Sequence, residues 1–270
     1  MAKLLLLRRV NMDTFDLSIF QIIAAYVFVL ILMVILKRRG ISREKELLIA
    51  TVRMTVQLIL VGYLLAYVFD HSHPIYTVLI IAVMEVFAIF NIFKRVKSVL
   101  SKQLKRIIAI SMFCGTLASL LYFLFVVIQL TPWYEPRYFI PIAGMLVGNS
   151  MTGISLGVSR LNDGIRGNRT AIETALMLGA TPKMAARTMV NEAFDAAILP
   201  TINSMVGMGI VFLPGMMTGQ ILSGSSPLLA IEYQIAIMLG IVGSVALTVI
   251  LFVQLGYRTF FNRHSQLVID

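Results

Sequence analysis

The chain has 270 residues, of which 59% are apolar and only 13% charged, and its formal net charge is +10. In soluble globular domains about a quarter of the residues are charged, so this composition excludes that class and indicates an integral membrane protein. The positive charge does not predict a nucleic-acid partner, because the basic residues border apolar stretches instead of sharing one soluble segment. The single cysteine, Cys114, excludes a disulfide within the chain.

Seven apolar stretches are long enough to cross a bilayer as helices. A span needs roughly 20 mainly apolar residues, because about 30 Å of hydrocarbon must be crossed with every backbone group bonded internally. The sequence therefore predicts an all-α polytopic membrane protein with about seven transmembrane helices in one transmembrane domain, residues 1–270. The stretches are Ser18–Leu36, Leu48–Phe69, Ile75–Phe93, Ile107–Leu130, Phe139–Val158, Ala197–Pro214 and Gln234–Gly256.

The distribution of lysine and arginine predicts the orientation, since cytoplasmic loops retain these residues. Eighteen of the 23 basic residues follow the first, third, fifth or seventh stretch, whereas Arg137 lies in an opposite loop. We expect a multi-pass protein of the plasma membrane with its N-terminus outside and its C-terminus in the cytoplasm. Lys3, Arg8 and Arg9 oppose this pattern and leave open a loosely attached or re-entrant first segment.

Polar side chains inside the predicted spans are costly in hydrocarbon and are therefore candidates for function. In chain order they are Arg53 and Gln57 in the second span, Glu85 in the third, and Asn149 and Ser150 in the fifth. One interpretation makes Gln57, Glu85, Asn149 and Ser150 a polar path for a cation. The alternative pairs Arg53 with Glu85, which would neutralise a buried charge.

The loop after the second span contains two histidines, His71 and His73, next to an aspartate. These side chains could hold a metal ion weakly, although their spacing is not that of a closed metal site, and a solvated loop is the alternative. The chain shows no grouping of nucleophile, base and orienting residue, so the sequence does not support an enzyme. It also has no P-loop motif, so we expect no cofactor here and ATP use only by a partner.

A partly charged segment of about 38 residues, 159–196, follows the fifth span on the predicted cytoplasmic side. Its helical pattern continues to Leu178, where Gly179 is expected to stop it. Thr181 and Pro182 then supply an N-cap hydroxyl and a first-turn proline, which predicts that a second helix begins there. Two helices are therefore expected to meet at a corner.

The second of these helices is predicted to be amphipathic. Its apolar positions recur at three- and four-residue spacing: Ala186, Met189, Val190, Ala193 and Ala197. A polar stripe recurs at every fourth residue: Lys183, Arg187, Asn191 and Asp195. The stripe is expected to meet either a partner protein or, as the alternative, lipid headgroups at the membrane interface.

The pattern Glu173-x-Ala175-x-x-x-Gly179-Ala180-Thr181-Pro182 resembles the EAA loop of ABC-transporter permeases. In that family the loop forms the coupling helix that fits a cleft on the ATPase subunit. The resemblance implies an ATPase-coupling role for eight residues: Glu173, Ala175, Gly179, Ala180, Thr181, Pro182, Lys183 and Arg187. The family consensus has proline thirteen residues after the glycine, where this chain has Glu192, so the exit from the corner is expected to differ.

Nearly the whole chain resembles the FetB-type iron-export permeases, whose plant relatives are linked to aluminium tolerance. The resemblance is carried by MTGISLG at 151–157, LMLGATP at 176–182 and FLPGMMTGQILSG at 212–224. It implies a homodimeric permease of the bacterial inner membrane that partners a separate ATPase and exports iron or another metal ion. A nucleotide sugar or other small polar solute is the alternative substrate. A seven-helix receptor and a membrane scaffold without transport activity are the alternative functions.

Overall fold

A computed structural model describes residues 18–96 and 100–268 of the chain. Within these residues the chain consists of helices joined by turns, which confirms the all-α prediction. The helices are α1 (Ile19–Ala25), α2 (Val27–Arg38), α3 (Glu44–Asp70), α4 (Pro74–Arg95), α5 (Lys102–Tyr122), α6 (Pro136–Gly167), α7 (Arg169–Met177), α8 (Pro182–Ala185), α9 (Arg187–Gly207), α10 (Gly215–Leu222) and α11 (Pro227–Gly256). The segment Phe123–Ile128 is π-helical, and Tyr257–Phe260 is a 3-10 turn.

The chain divides into two compact units. The first contains the described residues up to His71 together with Gly219–Ser226. In this unit α1 and α2 follow one another with an interruption at Tyr26, whose hydroxyl forms a hydrogen bond with the Thr55 hydroxyl of α3. This bond ties the first apolar helical stretch to the second.

The second unit contains Ser72–Thr218 and the described residues from Pro227 onward. It is a helical bundle in which α6 and α11 run in the same direction, because the rings of Tyr138 and Tyr233 stack near their starts and Ser150 meets Ser244 further along. Their packing is close: a Cβ added to Gly153 would lie 2.9 Å from a Val245 methyl carbon. A glycine at this point therefore lets the two helices approach each other.

Six helical segments among the described residues are long and apolar enough to cross a membrane. They correspond to the first five predicted spans and to the last: Ile19–Arg38, Glu44–Asp70, Pro74–Arg95, Lys102–Ile128, Pro136–Gly167 and Pro227–Phe260. The predicted span Ala197–Pro214 differs. Its residues belong to the second half of α9 and to a non-helical segment, 208–214.

Helix α9 nevertheless runs along the bundle in the direction opposite to α6. Met189 lies against Gly164, and Ala197 lies against Gly153 and Gly157. At the other end, the Met208 sulfur is 3.8 Å from Nε2 of Gln234, near the start of α11. The part of the chain that follows α6 and precedes α11 therefore passes from one end of the second unit to the other. It does so although α9 is less apolar than the six segments named above.

Candidate functional site

The predicted corner is built by a helix end of the Schellman type. Helix α7 ends at Met177, and Gly179 adopts a left-handed conformation with φ of +90°. The Gly179 N–H donates to the Leu176 carbonyl and the Ala180 N–H to the Ala175 carbonyl, both at 3.0 Å. These two bonds satisfy carbonyl groups that a helix end leaves free, and glycine is the residue that adopts this conformation without a steric cost.

The start of the second helix is also where the sequence predicts it. The Thr181 hydroxyl accepts a hydrogen bond from the Met184 N–H at 3.3 Å, and Pro182 occupies the first helical position. The helix is not continuous, since α8 ends at Ala185 and α9 begins at Arg187. The predicted second helix is therefore one short turn followed by a long helix.

The predicted amphipathicity of this segment is confirmed by burial. Its apolar side is packed inside the bundle, with Ala186 and Ala193 fully buried and Met189 and Ala197 nearly so. The predicted polar stripe is exposed along its length: Lys183, Arg187, Asn191 and Asp195. Burial of the apolar side fixes the segment to the bundle and leaves the polar stripe facing outward.

The tip of the corner carries apolar side chains that nothing in the described structure covers. Met177 is 86% exposed, Leu178 is 83% exposed and Met184 is 67% exposed. Ile172, on the other side of α7, is 1% exposed and holds that helix against the bundle. The corner is thus a projection with an anchored base and an apolar tip.

Charged residues around the corner form local ion pairs. Glu173 Oε1 accepts from Arg169 Nε at 2.8 Å within α7. Glu192, which stands where the EAA consensus has proline, accepts from Arg160 Nη2 of α6 at 2.9 Å. The exit from the corner therefore differs from the consensus as expected: an uninterrupted helix, joined to α6 by an ion pair, passes through position 192.

Glu85 is buried between α4 and α5, with 7% of its surface exposed. Its Oε1 accepts a hydrogen bond from Oγ1 of Thr116, and Thr116 Oγ1 also lies 2.7 Å from the Met112 carbonyl oxygen. Glu85 Oε2 is buried without a hydrogen-bond partner among the described residues. A role for Glu85 in cation transport stays a prediction.

Asn149 and Ser150 are adjacent in α6 but face different surroundings. Ser150 is fully buried, and its hydroxyl oxygen is 3.0 Å from that of Ser244 on α11. Asn149 is exposed, and its Nδ2 donates to the Met145 carbonyl at 2.8 Å. Ser150 is therefore enclosed between α6 and α11, whereas Asn149 lies at the surface of the second unit, and a path that includes both stays a prediction.

Of the remaining predicted residues, the two histidines are held by local contacts, whereas Gln57 is described only by its exposure. Gln57 is exposed on α3 of the first unit. The His71 ring stacks on Tyr67 with ring centroids 4.7 Å apart, and His73 Nδ1 accepts from the Ile75 N–H at the start of α4. Within the described parts of the chain, no three His, Cys, Asp or Glu side chains converge on one point. Metal binding by the histidines stays a prediction.

Three features of the site are absent from the sequence-based predictions, for different reasons. Thr116 as a partner of Glu85 has no signal in the sequence, because the contact depends on how two helices are rotated. Asn203, an exposed amide on α9, lay inside a predicted span and could have been noticed as a polar residue there. The apolar tip could have been found from consecutive apolar residues beside Gly179.

Comparison with known proteins places the chain in context. Residues 19–261 match the family described as "Uncharacterised protein family (UPF0014)". The UPF0014 membrane protein slr1647 of Synechocystis is 40% identical over 87% of this chain and 90% of its own length. No solved structure matches the chain.

Two further relatives have descriptive names. The protein ALUMINUM SENSITIVE 3 of Arabidopsis thaliana is 35% identical over 90% of this chain and 88% of its own length. The probable iron export permease protein FetB of Escherichia coli is 31% identical over 91% of this chain and 93% of its own length. The resemblance to FetB-type permeases that the sequence motifs indicate is thereby confirmed, and the chain belongs to the UPF0014 family of membrane proteins.

Proposed function

We propose that this chain is the membrane subunit of an ABC transporter and that a separate ATPase subunit binds the corner around Gly179. The observation that carries the proposal is the exposed apolar tip of Met177, Leu178 and Met184 on a base packed into the bundle. Exposed apolar side chains that project from a rigid base are typical of a surface that a partner covers. The polar stripe beside the tip supplies charge complementarity at the rim.

The proposed assembly has two copies of this chain and two copies of the ATPase in a bacterial inner membrane. The orientation follows the basic residues, which put the corner and the C-terminus in the cytoplasm and the N-terminus outside. ATP binds only to the partner in this assembly. Closing of the ATPase pair then shifts the permease between inward- and outward-facing states through the corner.

The proposed cargo is a metal ion, with iron as the first candidate. Support comes from the relative named as a probable iron export permease and from the plant relative whose name refers to aluminium. A small polar solute such as a nucleotide sugar is the second candidate that the assay should include. Export is the proposed direction because the bacterial relative is named for it.

The test is reconstitution in lipid with an ABC ATPase encoded in the same genome. We expect the two proteins to purify together, the permease to stimulate ATP hydrolysis, and ferrous ion to accumulate in inside-out proteoliposomes only with ATP. Co-purification without metal transport, but with transport of a nucleotide sugar, would replace the proposed cargo. A chain that neither binds nor stimulates the ATPase would instead be a receptor or scaffold.

A further inference from the structure

Two contacts fix the register between α6 and α9. The helices are antiparallel, since Gly164 lies against Met189 while Gly157, two turns earlier, lies against Ala197. On one side of this pair, Arg160 of α6 forms its ion pair with Glu192 of α9 at 2.9 Å. These contacts allow the positions further along both helices to be matched.

Asn149 precedes Arg160 by eleven residues, and Asn203 follows Glu192 by eleven residues. Eleven residues make about three turns of helix, and they advance about 16 Å along the axis. Because the helices run in opposite directions, the two asparagines stand level with each other. They lie on the same side of the α6–α9 pair as the ion pair, three turns of helix away from it along the axis. The register thus places the two carboxamides at one level and on one side of the α6–α9 pair, mid-way along α6.

Both carboxamides are exposed and have unused hydrogen-bonding groups. Nδ2 of Asn149 bonds the Met145 carbonyl, which leaves its Oδ1 as an acceptor. The carboxamide of Asn203 has no hydrogen-bond partner among the described residues. Pro200 has no N–H, so the Ala196 carbonyl one turn earlier in α9 lacks its usual helical partner. The free groups therefore include three acceptor oxygens, namely the two Oδ1 atoms and the Ala196 carbonyl, together with N–H donors of both carboxamides.

Exposed amides at this depth need a polar neighbour, because hydrocarbon leaves a carboxamide unsatisfied at a cost of several kcal/mol. Polar residues in spans accordingly face bundle interiors or water-filled cavities. The neighbouring stretches, 145–156 of α6 and 196–207 of α9, contain no Asp or Glu. Neutral oxygen acceptors without a carboxylate stabilise a dehydrated divalent ion poorly. They accept hydrogen bonds well, however, from the water ligands of a hydrated ion.

We propose that Asn149 and Asn203 form a contact site on the translocation route for a hydrated divalent cation, whose bound waters donate to the two carboxamides. The inference rests on the proposed transport function and adds to it the place and the chemistry of cargo recognition. It assigns to Asn203 a role that no motif in the sequence indicates. Glu85, by contrast, has no part in this site.

The experiment measures ferrous-ion transport and ATP hydrolysis for Asn149→Leu, Asn203→Leu and the double variant, reconstituted with the ATPase. We expect each single variant to raise the KM for ferrous ion about tenfold, with ATPase binding and hydrolysis without cargo unchanged. Asn91→Leu is the matched control, since Asn91 Nδ2 makes the same type of bond, to the Phe87 carbonyl, on α4. An unchanged KM in both single variants, with normal wild-type transport, would overturn the site alone.

Cysteine substitution tests the geometry independently of transport. In a Cys114→Ala background, which lacks cysteine, the thiols introduced by Asn149→Cys and Asn203→Cys should react with a water-soluble thiol reagent and form a cross-link to each other. Two thiols that are both unreactive, or that cannot be linked, would overturn the pairing. Absence of any ATP-dependent transport by the wild-type pair of proteins would instead remove the proposed function, and this inference with it.

Discussion

Two exposed regions of this chain carry side chains whose polarity is opposite to that of the surroundings we assign to them. The corner at Gly179 presents apolar Met177 and Leu178 on the side we assign to water. The α6–α9 pair presents Asn149 and Asn203 at a depth we assign to hydrocarbon. In each region we propose a neighbour that a single chain lacks: a partner protein at the corner, and water with a solute beside the amides.

Glu85 completes the comparison because it is polar, lies within a span, and is enclosed. Its carboxylate meets Thr116 inside the packing of α4 and α5. Polar residues at membrane depth therefore differ in this chain: Glu85 is enclosed by packing, whereas Asn149 and Asn203 are exposed. The following predictions test whether the corner, the exposed amides and the enclosed carboxylate are as different as their surroundings suggest.

The largest effect is expected at Gly179. Gly179→Leu places a side chain in a left-handed conformation, which costs about 1–2 kcal/mol, and it changes the shape of the tip. We expect the protein to insert normally while ATP hydrolysis no longer drives transport. Transport and hydrolysis measured together in proteoliposomes would show this uncoupling.

Gly40→Leu is the matched control for this strain. Gly40 also has a left-handed conformation, with φ of +68°, and a Cβ added there, as at Gly179, would meet no atom within 4 Å. Its backbone penalty is similar, but it lies away from the corner in the sequence. Wild-type coupling in Gly179→Leu would contradict the docking assignment, as would equal uncoupling in Gly40→Leu.

A charge at the apolar tip should weaken the ATPase without changing the fold. Leu178→Asp removes a side chain whose burial by a partner contributes about 1.5–3 kcal/mol, so we expect the Kd for the ATPase to rise roughly 10- to 100-fold. Binding in detergent, measured by fluorescence anisotropy, checks this. Thr170→Asp adds the same charge about two turns before the tip in α7 and should change the Kd less than about threefold; equal effects would show that charge alone is responsible.

Removal of the Glu85 charge should have a smaller effect. The amide oxygen of Glu85→Gln can still accept from Thr116, so we expect ferrous-ion efflux within about threefold of wild type. Efflux is normalised to the amount of folded protein from size-exclusion chromatography. If efflux is abolished in folded Glu85→Gln protein, and more severely than in Arg53→Gln, Glu85 belongs to the cation route and the contrast with the exposed amides fails.

The smallest effect is expected at the two histidines of the loop between α3 and α4. The His71 ring stacks on Tyr67, and His73 caps α4, so both side chains have structural contacts. The double variant His71→Ala with His73→Ala should leave ferrous-ion transport unchanged and lower thermal stability by about 1 kcal/mol through loss of the cap. A changed affinity for the metal, measured by isothermal titration, would restore the loop as a binding site.

The corner could be predicted almost residue by residue because its signals are local. A left-handed glycine, a threonine cap and a proline at the first helical position each act within one turn of the chain, so Gly179, Thr181 and Pro182 stand where their chemistry requires. The amphipathic pattern of α9 could be predicted for the same reason, since helix periodicity sets which residues share a face.

The polar residues of the spans can be found in the sequence, but the sequence does not show which of them are enclosed and which are exposed. Whether Glu85 is enclosed and Asn149 open depends on how each helix is rotated against its neighbours, and composition does not encode that rotation. The predicted span Ala197–Pro214 covers only the second half of α9, because Glu192 and Asp195 lower the mean hydropathy of its first half. Burial of its small residues, not apolar composition, fixes that helix in the bundle.

The glutamate at position 192 has a mechanical consequence. A proline there would remove a further backbone hydrogen bond from α9, which already lacks one at Pro200, whereas with Glu192 the helix runs from Arg187 past Asn203 with Pro200 as its one internal proline. The distance from Arg187 to Asn203 is about 24 Å at 1.5 Å per residue. In the proposed coupling, a push delivered at the corner would travel along α9 as far as Pro200, and this residue, which leaves one helical hydrogen bond unmade, is where the helix bends most easily before it reaches the depth of the amides.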